Sequence, residues 1–270
     1  MTHDNNLGTM TGTGDYDWAE FQALKATNFS SNRYGIFHYM IFAHDLGSAL
    51  GSVSGISRNG WPDTTFIKGA TDFIVSMGSW PSMGTQDQRE GTFTHELGHN
   101  LGLRHGGSDH ANYKPNYLSI MNYFYQVIGV YRSGGWGNFD YSRFTAATLV
   151  ETALNENTGL GATAAGYGAR WYCPNTSTNA TTSNTHIDWN CDGDGGVDAS
   201  VSVDINYSGA RTTLTSQNNW ANVVFGGNGV IGAGVTNPLL DASSITSSRV
   251  NCLTFEDTRR ADRAAIYTPK

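Results

Sequence analysis

The spacing of apolar residues in the amino-terminal part of the chain predicts a helix followed by several strands. An amphipathic helix is predicted over residues 15–29, where large apolar side chains recur every three residues: Trp18, Phe21 and Leu24. A dense run of aromatic and β-branched residues predicts a buried strand over residues 34–43. Further strands are predicted over residues 52–57 and 71–77, and the first is poor in apolar residues, as is typical of an edge strand.

A second helix is predicted to begin near residues 85–86, because Asp87 and Glu90 carry the negative charge that stabilises a helix N-terminus. We expect its histidines to face a cleft and three of its apolar side chains to pack on the sheet: Phe93, Leu97 and Leu101. Apolar residues predict another helix over residues 138–154. A mixed acidic and basic pattern predicts a last helix over residues 254–267.

Composition narrows the classes of protein to which the chain can belong. Its 270 residues carry a formal net charge of −7 and only 14% charged residues, and the scattered Lys and Arg argue against a nucleic-acid partner. No apolar run approaches the roughly 20 residues of a membrane span. Low charge with 33 Gly indicates a loop-rich extracellular protein.

The first six residues lack the apolar core of a signal peptide. This predicts either a cytosolic chain or the mature form of a secreted protein, without its signal peptide and any propeptide. We favour the secreted form, because it agrees with the composition.

The stretch from His95 to His105, HELGHNLGLRH, carries the strongest chemical signal. His95 and His99 lie one helical turn apart, so both imidazoles can bind one zinc ion, and Glu96 beside them can take a proton from water that the metal activates. His105 cannot join them if the helix continues, since ten residues would carry it about 15 Å along the axis. Gly102 permits a left-handed helix end, so the chain is predicted to fold back there. Three histidine ligands with an open fourth position are typical of catalytic zinc sites.

Two other interpretations of these histidines stay open. They could make only hydrogen bonds inside a core, although Gly102 and His105 at fixed offsets favour the metal site. Zinc could also be bound by the HExxH residues together with a downstream glutamate as the third ligand.

A second motif follows a glycine-rich turn: Ser119-Ile120-Met121-Asn122-Tyr123. Together with HExxHxxGxxH it resembles the metzincin zinc endopeptidases, and SxMxY resembles the Met-turn of their astacin and serralysin branches. The resemblance implies a methionine beneath the metal, at Met121, and a tyrosine that helps to stabilise the transition state, at Tyr123. It also implies hydrolysis of protein or peptide substrates, with Glu96 as general base and acid. Branches of the clan differ at the residue after the third histidine, and Gly106 leaves the branch open.

The chain contains three cysteines, Cys173, Cys191 and Cys252. Cys173 and Cys191 bracket a polar Ser/Thr/Asn loop and are the predicted disulfide pair. Three buried thiols are the alternative.

An Asp/Asn-rich loop predicts a site for a hard cation such as calcium. A D-x-N-x-D-G-D pattern places side-chain oxygens on alternate residues around a tight turn, and a D-x-N-x-S-G pattern begins sixteen residues later. The candidate ligands are Asp188, Asn190, Asp192, Asp194, Asp204 and Asn206. The pair resembles the loops of dockerin-like and thrombospondin-type repeats, although Ala199 stands where an EF-hand has its glutamate. Solvated turns without metal are the alternative.

These observations predict an α/β (α+β) fold with a metzincin-like catalytic domain over residues 1–157, built on a twisted mixed sheet and the zinc-binding helix. A loop-rich, calcium-binding region is predicted over residues 158–270, packed on or inserted into that domain. The main functional hypothesis is a secreted, monomeric, zinc-dependent endopeptidase whose edge strand at residues 52–57 pairs with an extended substrate. The competing hypothesis is a secreted, calcium-stabilised binding or adhesive module with a non-catalytic zinc site.

Overall fold

The computed structural model describes residues 7, 16–33, 37–47, 50–58, 72–174, 176–223, 253–254 and 257–258. The chain divides into two compact units, residues 1–102 with 224–255 and residues 103–223 with 256–270. Helices and strands are mixed, and the described strands form small sheets. Within the described ranges, no helix combines the length and the apolar character needed to cross a membrane.

In the described part of the first unit, a three-stranded sheet and two α-helices form the framework. The helices are α1 (Ala19–Asn28) and α2 (Gln86–Asn100), and the strands are β1 (Tyr39–Ala43), β2 (Gly55–Ser57) and β3 (Asp72–Ser76). The strand order is β1-β3-β2, with β3 parallel to β1 and antiparallel to β2. The predictions of the first helix and of the strands at 52–57 and 71–77 are confirmed, with shorter bounds.

The two helices cover opposite faces of β3. Successive side chains of a strand point to opposite faces. Asp72 accepts hydrogen bonds from Gln22 Nε2 (3.1 Å) and Lys25 Nζ (2.5 Å) on α1, whereas the ring of the next residue, Phe73, packs on Phe93 of α2 at 5.3 Å. All five residues of β3 are therefore buried.

The prediction of a buried strand over residues 34–43 is wrong about its burial. β1 covers the second half of that range and lies at an edge of the described sheet, and its Phe42 is 61% exposed. Residues 34–36 lie outside the described part of the chain. The fully buried strand is β3, because it is the central one.

The face of α2 that packs on the sheet differs in part from the prediction. Phe93 packs on Phe73 of β3, as predicted, but is 36% exposed, and Leu97 and Leu101 are only partly buried. The buried residues of the helix are small or polar: Gly91, Thr92, His95, Glu96, Gly98 and Asn100. A Cβ added to Gly55 of β2 would lie 2.9 Å from both Glu96 Cγ and Thr92 Cγ2, so this polar face contacts β2 directly.

The second unit consists of loops held by short strand pairs. The strands are β4 (Val130–Arg132), β5 (Gly135–Asn138), β6 (Leu149–Val150), β7 (Ala169–Cys173), β8 (Thr176–Ala180) and β9 (Thr213–Leu214). They form three antiparallel pairs, β4-β5, β6-β9 and β7-β8.

The prediction of a helix over residues 138–154 is wrong, because the range holds the end of β5, a segment without regular secondary structure and β6. Its backbone groups bond to residues distant in the sequence rather than to one another. The N–H of Glu151 donates to Thr212 O at 2.9 Å, and that of Leu154 donates to Val201 O at 2.8 Å. The helix predicted over residues 254–267 lies almost wholly outside the described residues.

The division of the chain does not fall at the predicted boundary, residue 157. One cluster of buried apolar residues contains side chains from both sides of that point: Leu118, Phe124, Leu149, Leu160, Trp171, Trp189 and Leu214. Residues 103–223 therefore belong to one unit because they share one core.

Candidate metal centre

The start of α2 is defined by a capping box. Thr85 Oγ1 accepts the N–H of Gln88 at 3.2 Å, and the Gln88 side chain accepts the N–H of Thr85 at 2.8 Å. These bonds satisfy backbone donors that would otherwise lack partners at the helix N-terminus. The helix begins at Gln86, as predicted from the sequence.

His95 and His99 lie one above the other on α2, with their Nε2 atoms 3.1 Å apart. Two ligands of a tetrahedral zinc ion, each about 2.05 Å from the metal, would lie about 3.3 Å apart. The observed spacing is close to that value, and the rings are nearly perpendicular, at 87°. The pair can therefore bind a common metal ion.

The helix ends at Asn100, and Gly102 reverses the chain. Its φ is 83°, in the left-handed region that glycine adopts without strain, and its N–H donates to His99 O at 2.9 Å. After this turn, one ring nitrogen each from His95, His99 and His105 lies within 4.8 Å of the other two. The spacing and the glycine break are what the sequence predicted.

Glu96 follows His95 directly and is only 2% exposed. Burial raises the pKa of its carboxyl well above the usual range, because the surroundings disfavour the charged form. A dication bound by the histidines would act in the opposite direction and favour the carboxylate.

Met121 and Tyr123 are both buried in the second unit. The N–H of Met121 donates to Ser119 Oγ at 3.2 Å, which forms the local turn. The Tyr123 ring packs against the His105 ring, with centroids 4.6 Å apart. The structure thus places Tyr123, named on the resemblance alone, beside a candidate metal ligand.

Asn219 supports the turn that holds Met121, and the sequence carried no signal for it. Its side-chain Oδ1 accepts hydrogen bonds from the hydroxyls of Tyr117 (2.9 Å) and Ser119 (2.6 Å) and from the N–H of Ser142 (3.2 Å). Asn219 is 0% exposed. A residue about 100 positions downstream of Ser119 therefore fixes the motif.

The predicted disulfide between Cys173 and Cys191 is confirmed, with the two Cα atoms 5.7 Å apart. It ties the Asp/Asn-rich loop to the end of β7. Cys252 lies outside the described residues.

The loop that begins at Asp188 brings acidic side chains together, and it includes one that the sequence did not indicate. Carboxylate oxygens of Glu156, Asp188 and Asp194 lie within 4.8 Å of one another. Glu156 is fully buried and also accepts the N–H groups of Trp189 (2.7 Å) and Asp198 (3.3 Å). Burial raises its pKa. A second such group within the described chain contains Asp192 and Asp194 together with Asp198.

The loop that begins at Asp204 repeats this plan without an acidic cluster among the described residues. Asp204 Oδ2 accepts the N–H of Gly209 at 2.7 Å, and Asn206 Oδ1 accepts that of Ser208 at 3.3 Å. Here the buried Glu151 accepts the N–H of Ile205 at 2.8 Å, as Glu156 accepts that of Trp189 in the first loop. Calcium binding by both loops stays a prediction.

The chain matches no family model, no curated protein and no solved structure. The resemblance to the metzincins is therefore carried by the motif residues and by the geometry of the three histidines. A metzincin fold stays a prediction.

Proposed function

We propose that this chain is a zinc-dependent endopeptidase. The observation that carries the proposal is the convergence of three histidine ring nitrogens to within 4.8 Å, in a motif where the buried Glu96 follows the first of them. Neutral imidazoles are preferred zinc ligands, and a set of three leaves a fourth position open, as in catalytic zinc sites.

His95, His99 and His105 would hold the zinc ion. Zinc bound by three imidazoles supplies Lewis acidity, which makes water a stronger acid and polarises a peptide carbonyl. The Glu96 carboxylate takes the proton of the attacking water and then passes it to the leaving amine. Its position supports this role, because it directly follows the ligand His95 and is only 2% exposed.

The Tyr123 hydroxyl is proposed to stabilise the negative charge that develops on the carbonyl oxygen. Two observations support this role: its match to the SxMxY motif and the packing of its ring on His105.

β2 is proposed to pair with an extended substrate, because it is an edge strand of the described sheet and contacts Glu96. Ser54 already donates to Leu253 O at 3.0 Å, and Val53 bridges to Thr254. The proposed pairing therefore excludes Val53 and Ser54.

We expect Glu96→Gln to keep zinc and the fold but to lower turnover at least about a hundredfold, the usual contribution of a general base. The matched control is Glu90→Gln, an exposed carboxyl on the same helix that accepts a hydrogen bond from Gln86. Casein digestion and zinc content would be measured for each variant, with and without phenanthroline. Tyr123→Phe should lose less turnover than Glu96→Gln.

Wild-type proteolysis by Glu96→Gln would exclude the proposed role of Glu96. Zinc bound without any proteolysis by the wild type would favour the competing binding or adhesive module. Zinc retained in full by His105→Ala would favour the alternative in which a downstream glutamate is the third ligand.

A further inference from the structure

Lys114 is a buried lysine in the loop between His105 and the turn that holds Met121. Its side chain is 1% exposed, and lysine is almost never buried to this extent unless it is paired. Nζ donates to Gly106 O (2.8 Å), Asp109 Oδ2 (2.6 Å) and Thr215 O (2.9 Å). An ammonium group has three N–H donors, and these three acceptors use all of them.

The first acceptor belongs to the residue that follows His105. The N–H of Gly106 also donates to Asp109 O at 3.1 Å, so Asp109 closes over Gly106. A Cβ on Gly106 would collide with Asp109 Oδ1 and would lie 2.5 Å from Ala111 O. Glycine is thus required after the third histidine because the Asp109 carboxylate and the Ala111 backbone occupy the space that a side chain would need.

The other contacts of Lys114 extend to two further segments. Its own carbonyl oxygen accepts Asn122 Nδ2 at 2.7 Å, which connects it to the turn that holds Met121. Thr215 follows β9 directly. Tyr113, the residue before Lys114, has a φ of 56°, which an aromatic residue adopts only where its surroundings impose it.

We propose that Lys114 is a positioning residue for His105: its ammonium group fixes the carbonyl of Gly106 and thereby the orientation of the third zinc ligand. The inference rests on the proposed zinc site. It goes beyond that site, since it names the group that holds the loop at Gly106, where no side chain fits: the ammonium of Lys114. Supporting residues of this kind commonly change metal affinity 10–100-fold when they are removed.

The structure offers a matched control in Lys25, the other buried lysine among the described residues. Lys25 is 3% exposed and pairs with the buried Asp72 at 2.5 Å, in the first unit. Lys25→Met and Lys114→Met each remove one buried ammonium group from a carboxylate. Only Lys114 contacts the residue next to His105.

The test measures the zinc Kd of the full chain by competition with a chelator, together with the Tm of the zinc-free protein. We expect Lys114→Met to raise the zinc Kd about tenfold or more, while Lys25→Met lowers Tm and leaves the zinc Kd unchanged. Asp109→Asn keeps an oxygen acceptor for Lys114 but removes the charge, and it should raise the Kd by a smaller factor.

A wild-type Kd in Lys114→Met, or an equal loss of affinity in Lys25→Met, would overturn the inference. If Lys114→Met does not fold, Asp109→Asn decides: a raised Kd supports the positioning role and an unchanged Kd overturns it. Zinc binding without proteolysis in the wild type would refute the proposed function and leave this inference standing. A wild type that binds no zinc would refute both.

Discussion

Glu96 lies against the residue of β2 that has no side chain. A Cβ at Gly55 would lie 2.7 Å from Ile74 O and 2.9 Å from Glu96 Cγ, and the backbone oxygen cannot turn away. A methyl group there must therefore displace either the strand or the glutamate. The sequence placed Glu96 in the motif, but the contact with Gly55 joins residues 41 positions apart and became visible only in the folded chain.

We expect Gly55→Ala to lower kcat at least about tenfold and to cost about 1–3 kcal/mol of folding free energy, as overpacking usually does. Zinc content should stay unchanged, because the histidines are not touched. Gly51→Ala is the control, since its Cβ would meet nothing closer than 3.6 Å. Steady-state kinetics, zinc content and thermal unfolding measure these effects. Equal kcat for Gly55→Ala and the wild type would show that Glu96 tolerates the shift.

The helices predicted from residues 85–86 onward and over residues 138–154 had different outcomes. α2 exists because its cap and period are local properties, but it turns a polar face to β2, so its apolar residues did not indicate the buried face. Residues 138–154 are richer in apolar residues than α2 and form no helix, because β9 and other distant segments supply partners for their backbone. Tertiary contacts override local propensity in such segments.

If a substrate pairs with β2, a proline at position 57 should weaken its binding. The Ser76 N–H donates to Ser54 O, and the Arg58 N–H donates to Asp72 O. The Ser54 carbonyl and the Arg58 N–H therefore point to β3, and the N–H of Ser57, one residue before Arg58, points away from it. We expect Ser57→Pro to raise KM about three- to tenfold, the value of one backbone hydrogen bond. Ser57→Ala is the control: like the proline variant it loses the hydroxyl that donates to Asn100 at 2.7 Å, but it keeps the backbone N–H. Its KM should therefore stay near that of the wild type. An unchanged KM in the proline variant would exclude pairing at this residue.

Calcium should stabilise the chain through the loop that begins at Asp188. At a hundredfold excess over Kd, a bound ligand raises Tm on the order of 5–10 °C for a chain of this size. We expect Asp188→Asn to lose this response and Asp87→Asn, an exposed acid on α2, to keep it. Thermal unfolding with calcium or with a chelator measures this rise in Tm. The same calcium response in Asp188→Asn would show that this loop binds no calcium.

At the scale of the whole chain, a core shared across residue 157 makes the second unit a single folding element. Leu118 and Phe124 pack in the same cluster as Trp171 and Trp189, and Asn219 completes the turn around Ser119. The loop-rich region, predicted to be packed on or inserted into the catalytic domain, therefore supports the segment that carries His105 and Tyr123.

A chain that ends at Asn157 should not fold cooperatively, because it exposes the apolar side of this cluster. Denaturant unfolding followed by circular dichroism would show a broad transition in the truncated chain and a sharp one in the full chain. If the truncated chain instead unfolds cooperatively, at the same denaturant concentration as the full chain, residues 1–157 form an independent domain.

The local features of the candidate site can be predicted from the sequence alone. The spacing of His95 and His99, the glycine that ends α2 and the pairing of Cys173 with Cys191 follow from backbone geometry or short loops, which act over a few residues. The buried face of α2, the conformation of residues 138–154 and the partners of Lys114, Asn219 and Glu156 depend on tertiary contacts. Local patterns do not record them, because the burial and the hydrogen-bond partners of these groups come from segments distant in the sequence.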